Sequence, residues 1–253
     1  MPELTTPQQT TRRDTLKPGL AAAGLLAFVP KWGTKNKLWL PFLIGLMLAC
    51  GATNSQAQLA ARNADEWVTT LEGPQRIATQ KIDDVLSKLD LKPGIVIADI
   101  GAGSGLFSRP LAKAVGPSGK VYAVDIQQDL LDHINQRDKE ESIGNIQTVL
   151  GEYDDPKLPA RNVDLAFIND VLHHIQHRAV YLKALGTYVK PSGRIAIIEM
   201  DKNDPKTSHR NQPELLVARE EILQWMSDAG FKLVQEHPDL FPGTKLFLVF
   251  GRK

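Results

Sequence analysis

The chain has 253 residues, and its 30 lysines and arginines nearly balance its 29 aspartates and glutamates, which leaves a formal net charge of +1. This balance gives no bulk electrostatic basis for binding nucleic acid, and the absence of a fixed-period repeat excludes a solenoid or a propeller. If residues 1–60 are set aside, about 190 residues remain, which is enough for one α/β domain with a sizeable core.

The head of the chain is typical of an export signal. Three lysines precede the apolar stretch 38–49, which is too short to span a bilayer, and the only cysteine, Cys50, follows it. This pattern resembles a bacterial lipoprotein signal, and an arginine pair further upstream resembles a twin-arginine signal. We therefore expect residues 1–60 to be a signal or anchor segment of an exported, periplasmic or lipid-anchored protein. The alternative is a disordered extension on a cytoplasmic protein, and in both cases residues 61–253 form the folded domain.

Beyond residue 60, short apolar runs alternate with segments of helical periodicity. Strands are predicted near 95–100, 120–125, 146–150, 163–168, 194–200, 231–236 and 244–250, and helices near 74–89, 105–115, 127–138, 178–189 and 214–229. This alternation predicts an α/β fold with a Rossmann-like, doubly wound, mostly parallel sheet that binds its ligand at the carboxyl ends of the strands. A Pro-Gly turn before the last run predicts that the last strand is antiparallel.

Three glycines at alternating positions follow the first predicted strand. Gly101, Gly103 and Gly105 allow left-handed backbone and the close approach of a ligand, because they have no Cβ atom. The free N–H groups of the helix that follows favour anionic oxygens. About twenty residues later the second strand ends in Asp125, whose carboxylate suits the two hydroxyls of a ribose. Both NAD and S-adenosylmethionine (SAM) carry that ribose, so these residues alone leave the two cofactors open.

Four segments, in order, resemble the motifs of the class I SAM-dependent methyltransferases. Residues 99–105 read D-x-G-x-G-x-G, whereas dinucleotide enzymes usually have G-x-G-x-x-G. The other three are a strand with an acidic turn at 145–154, a strand with polar residues behind it at 163–175, and a K-P-S-G segment leading into a strand at 188–199. The resemblance covers about residues 66–253, and it implies a seven-stranded sheet and SAM as the cofactor.

The resemblance also implies which residues bind the cofactor. The glycine turn would approach the ligand, Asp125 would bind the ribose, and the turn after the third strand would contact the adenine. The predicted cofactor-binding residues are Asp99, Gly101, Ala102, Gly103, Gly105, Asp125, Ile126, Glu152, Tyr153 and Asn169.

Polar side chains after the fourth strand are the candidates for catalysis. Histidine titrates near neutral pH and can deprotonate an acceptor, so Asp170, His173 and His174 are the predicted catalytic residues. A packing or solvent-facing role for the two histidines is the alternative. A metal site is another, because His173 and His177 are four residues apart. We expect no metal, because residues 199–201 depart from the Asp-Asn pair of metal-dependent catechol-type methyltransferases.

We therefore predict a SAM-dependent methyltransferase that transfers a methyl group to an O, S or N atom of a small molecule by in-line displacement. The acceptor class rests on elimination, since residues 169–172 lack the two prolines of DNA-base methyltransferases and the domain lacks the cysteines of arsenite methyltransferases. Two alternatives are a noncatalytic SAM-binding module attached to a membrane through residues 1–60, and an NAD-dependent oxidoreductase. The helices near 59–89 and the segment 200–213 should cover the acceptor. No nucleic-acid partner is expected, and the sequence does not indicate the oligomeric state.

Overall fold

The computed structural model describes residues 63–207 and 209–253, which contain a seven-stranded sheet. The strands are β1 (Val96–Ile100), β2 (Lys120–Asp125), β3 (Ile146–Leu150), β4 (Val163–Asn169), β5 (Val189–Met200), β6 (Phe231–Glu236) and β7 (Lys245–Arg252). Their order in the sheet is β3-β2-β1-β4-β5-β7-β6. Strands β1 to β5 pair in parallel, and β7 runs antiparallel to both of its neighbours. The predicted doubly wound sheet with an antiparallel last strand is confirmed.

Seven α-helices accompany the strands within the described part of the chain. They are α1 (Ala64–Leu71), α2 (Pro74–Gln80), α3 (Ile82–Lys88), α4 (Ser108–Val115), α5 (Gln128–Glu140), α6 (Arg178–Gly186) and α7 (Arg219–Asp228). The strand order reverses between β1 and β4, which are neighbours in the sheet. Such a reversal opens a crevice at the carboxyl ends of the strands, and ligands of open α/β sheets bind there.

The apolar core lies on both faces of the sheet. In β1, Ala98 and Ile100 belong to one buried cluster, and Ile97 belongs to the other, together with Leu111 of α4. This division follows from the alternation of side chains along a strand. Asp99 therefore points to the same face as Ile97, the face that α4 covers. The position of this carboxylate is fixed by the pleat of the strand and not by the glycine turn that follows.

Three predicted helices differ from those observed. The helix predicted over 74–89 is two helices, because Lys81 adopts left-handed backbone with φ 47°. The helix predicted from residue 105 begins at Ser108, because Gly105 is also left-handed. The helix predicted over 214–229 is a 3₁₀ turn, Pro213–Leu215, followed by α7. The first two breaks each lie at one left-handed residue, and the third lies at a short extended stretch that includes Leu216 and Ala218. Hydrophobic periodicity does not detect such local changes.

The predicted signal or anchor segment, residues 1–60 with Cys50, lies outside the described residues. Export, lipid attachment and the boundary at residue 60 therefore stay predictions. Among residues 63–207 and 209–253, no helix combines the length and the apolar character that crossing a bilayer requires.

Candidate active site

The glycine turn between β1 and α4 has left-handed backbone at all three of its glycines. The φ angles are 67° at Gly101, 56° at Gly103 and 76° at Gly105. A Cβ atom on Gly101 would lie 2.8 Å from the Cβ of Val171, and one on Gly103 would lie 2.9 Å from Leu71 Cδ1. The turn therefore needs glycine for its conformation and also for its close packing against the chain after β4 and against α1.

Asp125 connects the end of β2 to this turn. Its Oδ2 accepts a hydrogen bond from the Gly103 N–H at 2.9 Å, and its Oδ1 accepts one from the Gln127 N–H at 3.0 Å. Burial raises the pKa of Asp125, and the N–H groups of Gly103 and Gln127 oppose that rise. The carboxylate therefore lies at the carboxyl end of β2 beside the turn, as predicted for a group that binds a ribose. Ala102 is buried in the same turn, and its N–H donates to the Val124 carbonyl at 2.9 Å.

Asp99 lies beneath the turn, where its side chain is buried. Its Oδ2 accepts a 2.6 Å hydrogen bond from the hydroxyl of Ser108, the first residue of α4. Burial raises the pKa of Asp99 to about 7, the Ser108 hydroxyl opposes the rise, and the charge of Asp125 adds to it. Asp99 thus fixes the start of α4 relative to β1, and a direct contact between Asp99 and a cofactor stays a prediction.

We expect Asp99 to make the stability of the fold depend on pH. Between about pH 4 and pH 7 the unfolded chain releases this proton while the folded protein keeps it, so the free energy of unfolding falls as pH rises. Asp99→Asn removes the titration and keeps an acceptor for Ser108. We expect urea unfolding at pH 5, 6, 7 and 8 to show that the free energy of unfolding of the variant, relative to that of the parent, rises by about 2–4 kcal/mol across this range. Parallel pH profiles for the parent, Asp99→Asn and the exposed control Asp129→Asn would contradict this assignment.

The predicted cofactor-binding residues in the turns after β2 and β3 are open to solvent. Ile126 is 37% exposed and Tyr153 is 47% exposed, which is high for large apolar surfaces at strand ends. Glu152 is also exposed, and its Oε2 lies 3.2 Å from Lys157 Nζ. Because β2 and β3 pair with Asp125 beside Leu150, the turns after these strands flank the same edge of the sheet. The arrangement offers apolar surface and a carboxylate next to Asp125.

Two polar residues at the end of β4 contact helix α2. Asp170 has left-handed backbone with φ 52°, and its Oδ2 accepts hydrogen bonds from Lys245 Nζ at 2.7 Å and Gln80 Nε2 at 2.9 Å. The side-chain amide of Asn169 donates to Gln80 Oε1 at 3.2 Å. Burial alone would raise the pKa of Asp170, but Lys245, Gln80 and Arg76 together hold it below its usual value. Asp170 is therefore a carboxylate at neutral pH, bound on one side by cationic and amide groups.

The other oxygens of these two side chains have no such partner. Asn169 Oδ1 and Asp170 Oδ1 are buried and have no hydrogen-bond partner among the described residues. The hydroxyl of Ser104, in the glycine turn, is also buried and has no hydrogen-bond partner among the described residues. Buried acceptors are nearly always paired in folded proteins, and leaving one unpaired costs about 1–3 kcal/mol. These atoms are candidates for pairing with a ligand that enters from the carboxyl edge of the sheet.

The predicted catalytic histidines lie on a 3₁₀ turn, Leu172–His174, directly after Asp170. The buried carboxylate of Glu199, on β5, accepts hydrogen bonds from the His173 backbone N–H at 3.1 Å and from its ring Nδ1 at 2.8 Å. Arg178 donates to the backbone carbonyls of Leu172 and His173 at 3.1 and 2.8 Å. The turn is thus held from both sides, and the ring of His173 is oriented with Nδ1 toward Glu199.

A third histidine joins this pair. The ring of His209 lies 5.0 Å from that of His173 and 5.9 Å from that of His174, between ring centroids, and the His173 and His174 rings are 4.1 Å apart. Burial, reinforced by the neighbouring His173 and His209, lowers the pKa of His174 to about 4, so this ring is neutral at pH 7. The segment after β5 therefore packs His209 against the other two rings.

The segments predicted to cover the acceptor contact residues of the site. Leu71 of α1 lies at Gly103, Gln80 of α2 binds Asp170, and the segment 200–213 brings His209 to the turn after β4. That they cover an acceptor stays a prediction. The predicted site residues did not include Gln80, Arg76 and Lys245. Lys245 could have been found, because β7 runs antiparallel and its first residue must lie at the carboxyl end of β5. Gln80 and Arg76 carry no such signal in the sequence.

Comparison with known proteins agrees with this geometry. Residues 97–193 match a family model described as a methyltransferase domain. The demethylmenaquinone methyltransferase of Geobacillus sp. (strain WCH70) is 27% identical over 117 residues, which is 46% of this chain and 50% of that protein. The ubiquinone/menaquinone biosynthesis C-methyltransferase UbiE of Ectopseudomonas mendocina is 29% identical over 113 residues, 44% of each chain. The chain thus spans about half the length of these curated relatives or less.

A solved structure supports the fold over a larger share of the chain. The crystal structure of a SAM-dependent methyltransferase from Aquifex aeolicus matches with a TM-score of 0.66 at 24% identity, over 75% of this chain and 98% of that one. At this identity the likeness shows the fold alone. The comparisons give no support to the predicted alternatives of a noncatalytic module or an NAD-dependent oxidoreductase.

Proposed function

This chain belongs to the class I SAM-dependent methyltransferase superfamily, and on that premise we propose that it transfers a methyl group from SAM to a small-molecule acceptor. The observation that carries the proposal is the hydrogen bond from the Gly103 N–H to Asp125, which joins a left-handed glycine turn to a carboxylate at the carboxyl end of the next strand. When bound, SAM would supply a methyl group on a sulfonium, and the neutral thioether of S-adenosylhomocysteine would be the leaving group.

The residues present fit this cofactor. Each Asp125 oxygen accepts one backbone N–H, and a carboxylate oxygen can accept more than one hydrogen bond, so both can also accept from a ribose diol. Ile126 and Tyr153 offer exposed apolar surface beside it for an adenine ring, and Glu152 offers an acceptor for an exocyclic amino group. The unpaired Oδ1 atoms of Asn169 and Asp170 suit the cationic amino group of the cofactor's amino-acid end.

The residues of the chain then act mainly by orienting the two reactants. The glycine turn and the end of β4 would hold the methyl donor, and α2 and the segment 200–213 would enclose the crevice from two sides. Holding two reactants in line can supply about 7–11 kcal/mol of the barrier, so no covalent nucleophile is required. Glu199 pairs with Nδ1 of His173, so Nε2 is the nitrogen of this ring that has a lone pair left to accept a proton. A base role for His173 or His174 stays a prediction.

The acceptor class rests on the relatives and on the lining of the crevice. Of the two relatives described above, one is named a demethylmenaquinone methyltransferase and the other a ubiquinone/menaquinone biosynthesis C-methyltransferase, a name that specifies methylation at carbon. We therefore add a carbon atom of a quinol-like ring as a second candidate acceptor atom, beside O, S and N. A panel of phenols, catechols, quinols and thiols with methyl-labelled SAM distinguishes these, and release of S-adenosylhomocysteine distinguishes an enzyme from a noncatalytic SAM-binding module.

Asp125→Ala tests the proposed ribose contact. Loss of charge-assisted hydrogen bonds worth about 1.5–3 kcal/mol should weaken SAM binding by about tenfold or more. Isothermal titration of the full chain with SAM measures the change. The exposed Asp129, in the first turn of α5, provides a matched control, and Asp129→Ala should bind SAM as the parent does. If Asp125→Ala also binds as tightly as the parent, the ribose assignment is wrong.

A further inference from the structure

Half of the six histidines in this chain lie in one cluster at the carboxyl ends of β4 and β5. One nitrogen from each of His173, His174 and His209 lies within 4.8 Å of those of the other two. His173 and His174 are adjacent in the chain, whereas His209 comes from the segment after β5. Two separate parts of the fold therefore bring imidazoles to one point.

Two of the three rings are oriented by a second polar group. Glu199 Oε1 lies 2.8 Å from His173 Nδ1, and Gln212 Oε1 lies 3.1 Å from His209 Nδ1. An oxygen acceptor on Nδ1 places the proton there and leaves the Nε2 lone pair free. Histidines that bind metal almost always donate their other ring N–H to a carboxylate or carbonyl oxygen in this way. The outer contacts of the cluster are therefore those of a metal site.

We propose that His173, His174 and His209 bind a single Zn²⁺ ion through one ring nitrogen each, with at least one coordination position left open. Zinc sites with three protein ligands and an open position use three histidines among their common ligand sets, with Zn–N distances of about 2.0–2.1 Å. Ligand nitrogens in a tetrahedral site of that size lie about 3.4 Å apart. The rings therefore have to close by about an ångström on binding, which side-chain rotation in the two half-buried histidines can supply.

The alternative set weighed from the sequence, His173 with His177, is not the one that the fold assembles. His177 is exposed and lies at the start of α6, outside the cluster. Asp170 is also outside it, since its carboxylate binds Lys245 and Gln80. Our expectation of no metal ion came from residues 199–201, where Glu199 is instead an outer partner of a histidine ligand.

The open position gives the ion a chemical use that rests on the proposed function. A zinc ion lowers the pKa of a bound water, hydroxyl or thiol, so an acceptor O–H or S–H bound there would lose its proton to solvent water before methyl transfer. The cluster follows β4 directly, beside the proposed cofactor contacts of Asn169 and Asp170. Zinc binding itself needs neither SAM nor an acceptor, so the two proposals can fail separately.

The test measures Zn²⁺ binding to the full chain after removal of metals by a chelator. Competition with a chromophoric zinc indicator should give one equivalent of tightly bound zinc, and Co²⁺ in its place should give the visible absorption bands of a four- or five-coordinate site. His209→Ala should weaken zinc binding by about 100-fold or more, since loss of an outer partner alone costs about 10–100-fold. Gln212→Ala, which removes such a partner, should weaken zinc binding by about tenfold.

His177→Ala is the matched control and should bind zinc as the parent does. Unfolding of each variant in the presence of chelator shows whether its fold is intact, and we expect His209→Ala to unfold at the parental midpoint. Substoichiometric zinc in the parent, or His209→Ala binding zinc as tightly as the parent, would overturn the proposal. Titration with SAM in the same samples reports on the cofactor site independently, so a lost zinc site with intact SAM binding leaves the proposed function standing.

Discussion

Gly103→Val should weaken SAM binding by about 100-fold and leave the fold intact. The valine side chain would fill the space between the glycine turn and the ligand, and overpacking of this kind costs about 1–3 kcal/mol, or up to about 150-fold in affinity. Within the protein the new Cβ atom meets only the end of the Leu71 side chain, at 2.9 Å, which can move aside. Isothermal titration with SAM measures the affinity.

Gly144→Val separates the effect of the ligand site from that of backbone strain. Gly144, in the turn before β3, also has positive φ, 79° against 56° at Gly103, and a Cβ atom there has nothing within 4 Å. Both variants should therefore lose stability from backbone strain, about 1–3 kcal/mol. Only Gly103→Val should lose SAM binding. Equal SAM affinities for the two variants would show that the glycine turn does not approach the ligand.

Replacing both His173 and His174 by alanine should lower methyl transfer by about 10²–10⁴-fold, the range for loss of a positioned proton-transfer group. SAM affinity should stay within a few-fold of the parent, because the proposed cofactor contacts are made by other residues. Turnover of an acceptor found in the panel, with SAM saturating, measures the effect, and His237→Ala serves as the control. Parental turnover at every pH would leave orientation and exclusion of water as the whole mechanism.

A chelator separates a base from a metal ligand. If a histidine is the base, the chelator leaves the turnover of the parent unchanged, and the defect of the variant shrinks at alkaline pH, where the acceptor ionises without help. If the histidines bind zinc, the chelator lowers the turnover of the parent, and added zinc restores that turnover.

The strands were predictable because their signals are local and repeated. The ends of β2, β3 and β6 fall at the predicted residues, since each is an apolar run bounded by turn residues. The helix breaks were not predictable, because one left-handed residue such as Lys81 leaves the hydrophobic period intact. Strand β5 begins at Val189 and not near residue 194, because pairing with β4 extends across a register shift that the sequence does not mark.

The residues of the candidate site that lie at strand ends were predictable from the sequence. The contacts between segments far apart in the sequence were not. Gly103 and Asp125 follow or end adjacent parallel strands, so the motif spacing was sufficient to place both at the same edge of the sheet, and the hydrogen bond between them is seen only in the structure. The contact between Gln80 and Asp170 spans 90 residues, and that between His173 and His209 spans two separate loops. Their proximity depends on the packing of α2 and of the segment 200–213, which no local pattern encodes.

If the crevice at the carboxyl ends of β1, β2 and β4 binds SAM, isothermal titration of the full chain will detect it. Parallel titrations with SAM, S-adenosylhomocysteine and NAD under one set of conditions suffice. We expect one site with micromolar-range affinity for SAM and for S-adenosylhomocysteine, and no binding of NAD. No heat and no thermal stabilisation with either SAM or its demethylated product, or tighter binding of NAD, would contradict it.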